Sequence, residues 1–192
     1  EANVQFAMAD RRINAVMSTS AGRLFDGVSA ILGIRRKSTF EGEASMALEF
    51  VAEEYQKNRL KNAKKMPEIP TYELLKEGND RLLLNTGSLI KEILYRRLNG
   101  EDSDRLAYIF HQELARQITA SCVKIREQSG CNKAALSGGV FQNRLLLELT
   151  DHMLKQQGFE VLKHQLVPPN DGGIALGQAV YAMAYLDRNR NK

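Results

Sequence analysis

The stretch that decides the fold is Leu136-Ser137-Gly138-Gly139-Val140-Phe141-Gln142-Asn143-Arg144. It follows a short apolar run, Lys133-Ala134-Ala135-Leu136, that reads as a strand, and it leads into a helical pattern near 141–157. Two glycines between strand and helix let backbone approach a ligand closely. The helix that follows offers N–H groups and the positive end of its dipole. Asn143, one turn in, is placed to hydrogen-bond a sugar or a base edge. A tight turn with no ligand satisfies the same pattern.

Downstream the rhythm repeats. A strand near Glu160–His164 runs into Val167-Pro168-Pro169-Asn170-Asp171-Gly172-Gly173 and then a helix from about 172 to 187. Two prolines stiffen the approach, and the glycines open space around the Asp171 carboxylate. That carboxylate suits a metal or an N-cap of the last helix. Gly173 and Gly177, four apart, allow close packing or a close ligand. The order strand, loop, helix, strand, loop, helix indicates an α/β unit with a sheet buried between helices.

Upstream, Leu24, Val28, Ile31 and Leu32 form one helical stripe, with Ser20 placed to cap it and Gly33 to end it. Asp26 sits one turn into that helix, where it faces either a cleft or solvent. A second helix is expected over about Glu43–Lys57 on Ala44, Ala47, Leu48 and Val51. Residues 3–18 carry no firm pattern. The stretch Asn58–Pro70 reads as a linker, and Tyr72–Lys76 with Arg81–Asn85 as a hairpin turning over Glu77-Gly78-Asn79-Asp80. Helices follow at about 87–98 and 104–128. The longer one presents Leu106, Ile109, Phe110, Leu114, Ile118, Cys122 and Ile125 as its buried face.

The 192 residues suffice for one domain, and 43% hydrophobic with 26% charged residues is ordinary for a soluble protein. Net charge of +4 is too mild, and its cations too scattered, to indicate nucleic acid. The basic run Lys57–Lys65 reads as a solvated helix end or loop, with a nucleic-acid patch as the alternative. No run approaches the roughly 20 apolar residues of a membrane helix, and the first residues lack a signal peptide's features. Cys122 and Cys131 form no CxxC pair. Cys122 is expected as a buried apolar residue, and a reducing cytoplasm fits.

Taken in order, STSAGRLFDGVSAILGI (18–34), FEGEASMALE (40–49), IFHQELA (109–115), LSGGVFQNRLLLE (136–148) and VPPNDGGIALGQAVYA (167–182) resemble the closing part of the HypF-type carbamoyltransferases. Helix start GRLFD, second block FEGE, loop GGVFQN and NDGGIALGQ favour this branch over the related tRNA threonylcarbamoyl transferases, with an antibiotic O-carbamoyltransferase as a more distant relative in the same superfamily. The resemblance implies the carboxy-terminal lobe of a Kae1-like domain, an α/β lobe of the actin, Hsp70 and sugar kinase (ASKHA, ribonuclease H-like) superfamily. It implies one domain over 1–192, cut from a longer protein upstream.

In such enzymes, carbamoyl phosphate and ATP give carbamoyl-adenylate in another domain. The carbamoyl group then passes to the carboxy-terminal cysteine of a HypE-type partner, toward the cyanide ligand of a nickel–iron hydrogenase. By resemblance, Asp26 and Gly42 would contact the ribose, Gly138, Gly139 and Asn143 the adenosine side, and Asp171 would be a catalytic carboxylate ligand of a divalent metal, iron or zinc. The paired-histidine metal motif of the family is missing: His111, His152 and His164 stand alone. His111 matches a family position, facing the cleft or serving structure. The expected contacts are therefore ATP or carbamoyl-adenylate, the HypE-type acceptor and upstream domains of the same polypeptide, without nucleic acid or membrane. A lobe that binds nucleotide without catalysis is the alternative.

Overall fold

The computed structural model describes residues 2–16, 18–62, 67, 70–77 and 81–190. The centre is α5 (Ser103–Ser129), against which α2 (Ala21–Ile31), α3 (Glu43–Lys61), α4 (Thr86–Leu98) and α6 (Arg144–Gln156) are arranged. The first half of α5 is apolar nearly all round and is buried all round: Leu106, Ala107, Tyr108, Ile109 and Phe110 are within 1% of full burial. Their neighbours include Phe25, Val28 and Leu32 of the α2 segment, Leu48 and Ala52 of α3, and Leu89 and Ile93 of α4.

The expected stripe on α5 therefore holds for its first half only. Ile118 and Cys122 are half-buried, and Ile125 is exposed. The distal turns of α5 pack against a small sheet instead of the helical core. Here Arg126 lays its guanidinium over Phe159 and donates to the Asn132 side chain and the Gln157 carbonyl. In α2, Phe25 joins the expected stripe as a buried residue, meeting Phe110 edge-on at 4.9 Å, while Leu24 is only half-buried. Ser20 is the N-cap by position, but its side chain makes no capping bond. Gly33 follows the helix in the left-handed region, φ 74°.

The hairpin forms from β1 (Leu75–Glu77) and β2 (Arg81–Leu83), antiparallel with Leu75 opposite Leu83 and Glu77 opposite Arg81. Its turn, 78–80, lies outside the described residues, as do 63–66 and 68–69 of the expected linker and basic run.

The α/β part consists of β3 (Lys133–Leu136) and β4 (Glu160–Lys163), paired in parallel with Ala134 opposite Val161 and Leu136 opposite Lys163. Ala134 and Leu136 turn inward with Phe159 onto Leu154 of α6 and Cys122 of α5. Lys133, Ala135 and Leu162 face outward. The mixed α/β lobe is as expected from sequence, but its sheet carries helices on one face only.

The reason is α7 (Ile174–Arg190), which does not fold back over that sheet. Its large apolar residues, Leu176, Val180, Tyr181 and Met183 among them, are more than half exposed. The segment left open by sequence forms α1 (Ala2–Asp10), also largely exposed. Among the described residues no helix is long and apolar enough to cross a membrane.

Candidate functional site

Ligands in open α/β sheets bind beyond the carboxyl ends of parallel strands. Here β3 ends into Ser137-Gly138-Gly139 and β4 into His164, and the two ends are joined by a 2.7 Å hydrogen bond between Ser137 Oγ and His164 Nε2. Gly138 takes φ 96°, open to glycine and strained for other residues. Its N–H donates to the Pro169 carbonyl at 2.8 Å, which fastens the glycine loop to the Pro-Pro-Asn-Asp loop. The structure thus brings Gly138, Gly139 and Asn143 together with the segment bearing Asp171.

Beside Gly139 the space is open: a Cβ added there would meet nothing of the protein within 4 Å. Gly173 is different, since a Cβ there would come within 3.0 Å of the Pro168 carbonyl, so it serves close packing. Around Gly177 there is open space.

The expected single helix from 141 is two elements. A 3₁₀ turn over Gly139–Gln142 ends at Asn143, which becomes the N-cap of α6. The Asn143 side chain is buried at 8% exposure, and its Oδ1 accepts from Leu146 N at 2.8 Å. Its Nδ2 lies 3.0 Å from Nε2 of His111, whose Nδ1 is 2.7 Å from the Ala107 carbonyl. A carbonyl can only accept, so Nδ1 carries the proton and Nε2 accepts from Asn143. His111 is fully buried, against the edges of Phe25 and Phe110. Burial, only partly opposed by the Ala107 carbonyl, lowers its pKa to about 4. His111 therefore belongs to the support of the site, not to its open face.

The helix N–H groups expected to be available at the start of α6 are not. Arg144 N and Leu145 N both point at Oε1 of Glu49, at 2.6 and 3.4 Å. Leu146 N is taken by Asn143 Oδ1, and Leu147 N by the Asn143 carbonyl. Burial pushes the Glu49 carboxyl up from its ordinary range, against the two backbone N–H bonds that favour the charged form. Sequence reading missed Glu49. The available signal was a carboxylate set beside Leu48 in the apolar stripe of α3.

Gly42 is the N-cap of α3, in the left-handed region at φ 81°. Glu43 reaches back to Thr39 N and pairs with Arg35, and the Thr39 N–H in particular lowers its pKa. Asp26 pairs with Arg23 on its own helix at 2.9 Å, a contact that keeps its carboxylate on α2.

At the second loop the cap is Asn170, not Asp171: Asn170 Oδ1 accepts from Gly172 N at 3.0 Å. Asp171 opens a short 3₁₀ turn, exposed. No three His, Cys, Asp or Glu side chains among the described residues stand close enough to hold a metal. The described part of this chain therefore does not assemble a metal site around Asp171.

The chain's sequence matches, over residues 1–178, the family described as carbamoyltransferase, Kae1-like domain, second subdomain. Carbamoyltransferase HypF of Rhodobacter capsulatus is 36% identical over 184 residues, covering 95% of this chain and 22% of that protein. The probable carbamoyltransferase HypF of Methanocaldococcus jannaschii is 34% identical over 180 residues, 94% of this chain and 21% of that one. A crystal structure of full-length HypF in its phosphate- and nucleotide-bound form superposes with a TM-score of 0.81 at 36% identity, covering 96% of this chain and 23% of that chain. The chain spans about a fifth of the length of the curated relatives it matches.

Proposed function

The chain belongs to the HypF carbamoyltransferase family, and on that premise we propose that it supplies one wall of a nucleotide site in a carbamoyl-transfer module. The observation that carries the reading is the carboxyl edge of the β3–β4 pair. Both glycine loops converge there, joined through Gly138 N and the Pro169 carbonyl, with open space beside Gly139. A solved relative with a TM-score of 0.81 is a phosphate- and nucleotide-bound form, which supports a nucleotide as occupant.

In this reading Gly138 and Gly139 let backbone lie against the adenosine side of ATP or carbamoyl-adenylate. Asn143 holds the loop from behind, through His111 and the start of α6. Asp26 and the Gly42 turn contact the ribose. The carbamoyl group passes to the terminal cysteine sulfur of a HypE-type acceptor: a C–S bond forms, the C–O bond to AMP breaks, and the thiol proton goes to solvent. The product serves cyanide-ligand synthesis for nickel–iron hydrogenase in the cytoplasm.

Asp171 contributes a carboxylate to a site completed by residues outside the described part of this chain, so no step is routed through a metal. Lewis-acid polarisation of the carbamoyl carbonyl is the chemistry such a metal supplies when bound. A lobe that binds nucleotide without catalysing is the second reading.

The experiment is a calorimetric titration of the full-length protein with ATP, beside Asn143→Ala, followed by transfer assays on Asp171→Ala. Binding weakened in Asn143→Ala and transfer lost in Asp171→Ala are expected. ATP binding with transfer indifferent to Asp171 would favour the second reading. No ATP binding would remove both.

A further inference from the structure

We propose that Glu49 is a positioning residue of the nucleotide site, a carboxylate strut that sets the Gly138–Gln142 loop against the head of α3. The inference rests on the nucleotide reading above and adds a residue to it. Glu49 lies two turns along α3 from Gly42, and it is nearly buried, between Leu48 and the helix start of α6. Its Oε1 accepts from Arg144 N at 2.6 Å, directly after the loop, and more weakly from Leu145 N. One rigid helix therefore carries both the Gly42 turn and the anchor of the glycine loop.

Helix capping alone does not account for this carboxylate. A local side chain is the usual N-cap device. In α4, among the described residues, Asn85 does that job without a second acceptor, accepting from Ser88 N at 3.2 Å. In α6 the local cap is already present in Asn143. A second acceptor, reaching across 95 residues and desolvated, exceeds what an N-cap requires. What it adds is a fixed distance between α3 and the loop. Such placement matters at a binding site, where small displacements are costly.

The test uses the full-length protein with two readouts: amide exchange over 139–145 without nucleotide, and the ATP dissociation constant. Glu49→Ala and Glu49→Asp, which withdraws the oxygen by one methylene, are expected to speed exchange and weaken ATP about tenfold, the size of a lost buried cap. Glu49→Gln keeps the length and the acceptor, and is expected to restore both readouts. Asn85→Ala, which removes a cap remote from the loop, is expected to change neither.

An ATP constant unchanged in Glu49→Ala and Glu49→Asp would overturn the strut, as would equal weakening in Asn85→Ala. If Glu49→Asp bound normally and Glu49→Gln did not, charge and not placement would be the function, and the proposal would also fail. An unsubstituted protein that does not bind ATP would instead sink the nucleotide reading itself, and this outcome is told apart by the wild-type titration.

Discussion

His111 should give the protein a stability that falls as pH drops below neutrality. In the folded state its pKa is lowered to about 4, while an unfolded histidine titrates near 6.5. Between those values the unfolded chain binds a proton that the folded one refuses. The sign is therefore fixed: this contribution is complete above pH 6.5 and is lost as pH falls toward 4. At 1.36 kcal/mol per pH unit the full loss is about 3 kcal/mol, of which about 2 kcal/mol falls between pH 7 and pH 5.

The assay is urea unfolding of wild type and His111→Gln at pH 7, 6 and 5, comparing differences between the two proteins. The comparison is needed because Glu49 has the opposite sign. Its carboxyl is pushed up by burial, so the folded state holds that proton more tightly, and the Glu49 contribution declines as pH rises through the carboxylate range. Subtracting the variant leaves the His111 term. A difference between the proteins that changes by less than about 0.5 kcal/mol from pH 7 to pH 5, or changes in the other direction, would refute the buried neutral imidazole.

Asn143→Ala should cost about 2–4 kcal/mol in the same assay, combining a lost N-cap with an orphaned buried acceptor on His111. Phe25→Ala should cost about 3–5 kcal/mol, and Leu24→Ala clearly less, since only Phe25 is fully buried. The 192-residue chain on its own should self-associate through α7. Replacing Leu176 and Val180 by lysine should shift its sedimentation toward monomer; no shift would mean that this face is not the adhesive one.

Much of the helical layer was legible because 3.6-residue periodicity survives wherever a helix has one wet face, as in α2, α3 and α4. On α5 the stripe held for Leu106, Ile109, Phe110 and Leu114, although burial there extends all round, and it failed in the distal half, where a different neighbour takes over. The break between the 3₁₀ turn and α6 at Asn143 escaped notice because Val140, Phe141, Leu145 and Leu146 keep an apolar rhythm across it. The two glycine loops were legible from composition, but their attachment through Gly138 N and Pro169 O is a long-range backbone bond that no local pattern encodes. Glu49 was hidden for the same reason, since its partner amides are 95 residues away. The exposure of α7 could not be read at all: its residues are those of a buried helix.

The most direct measurement of the central claim is ATP binding by Gly139→Val in the full-length protein, with thermal unfolding measured alongside. A Cβ added at Gly139 meets nothing beyond its chain neighbours within 4 Å, so the fold should tolerate the substitution and the unfolding temperature should hold. If that space belongs to the nucleotide, ATP affinity should be lost. A stable Gly139→Val protein that binds ATP as tightly as the wild type would contradict the assignment of this loop.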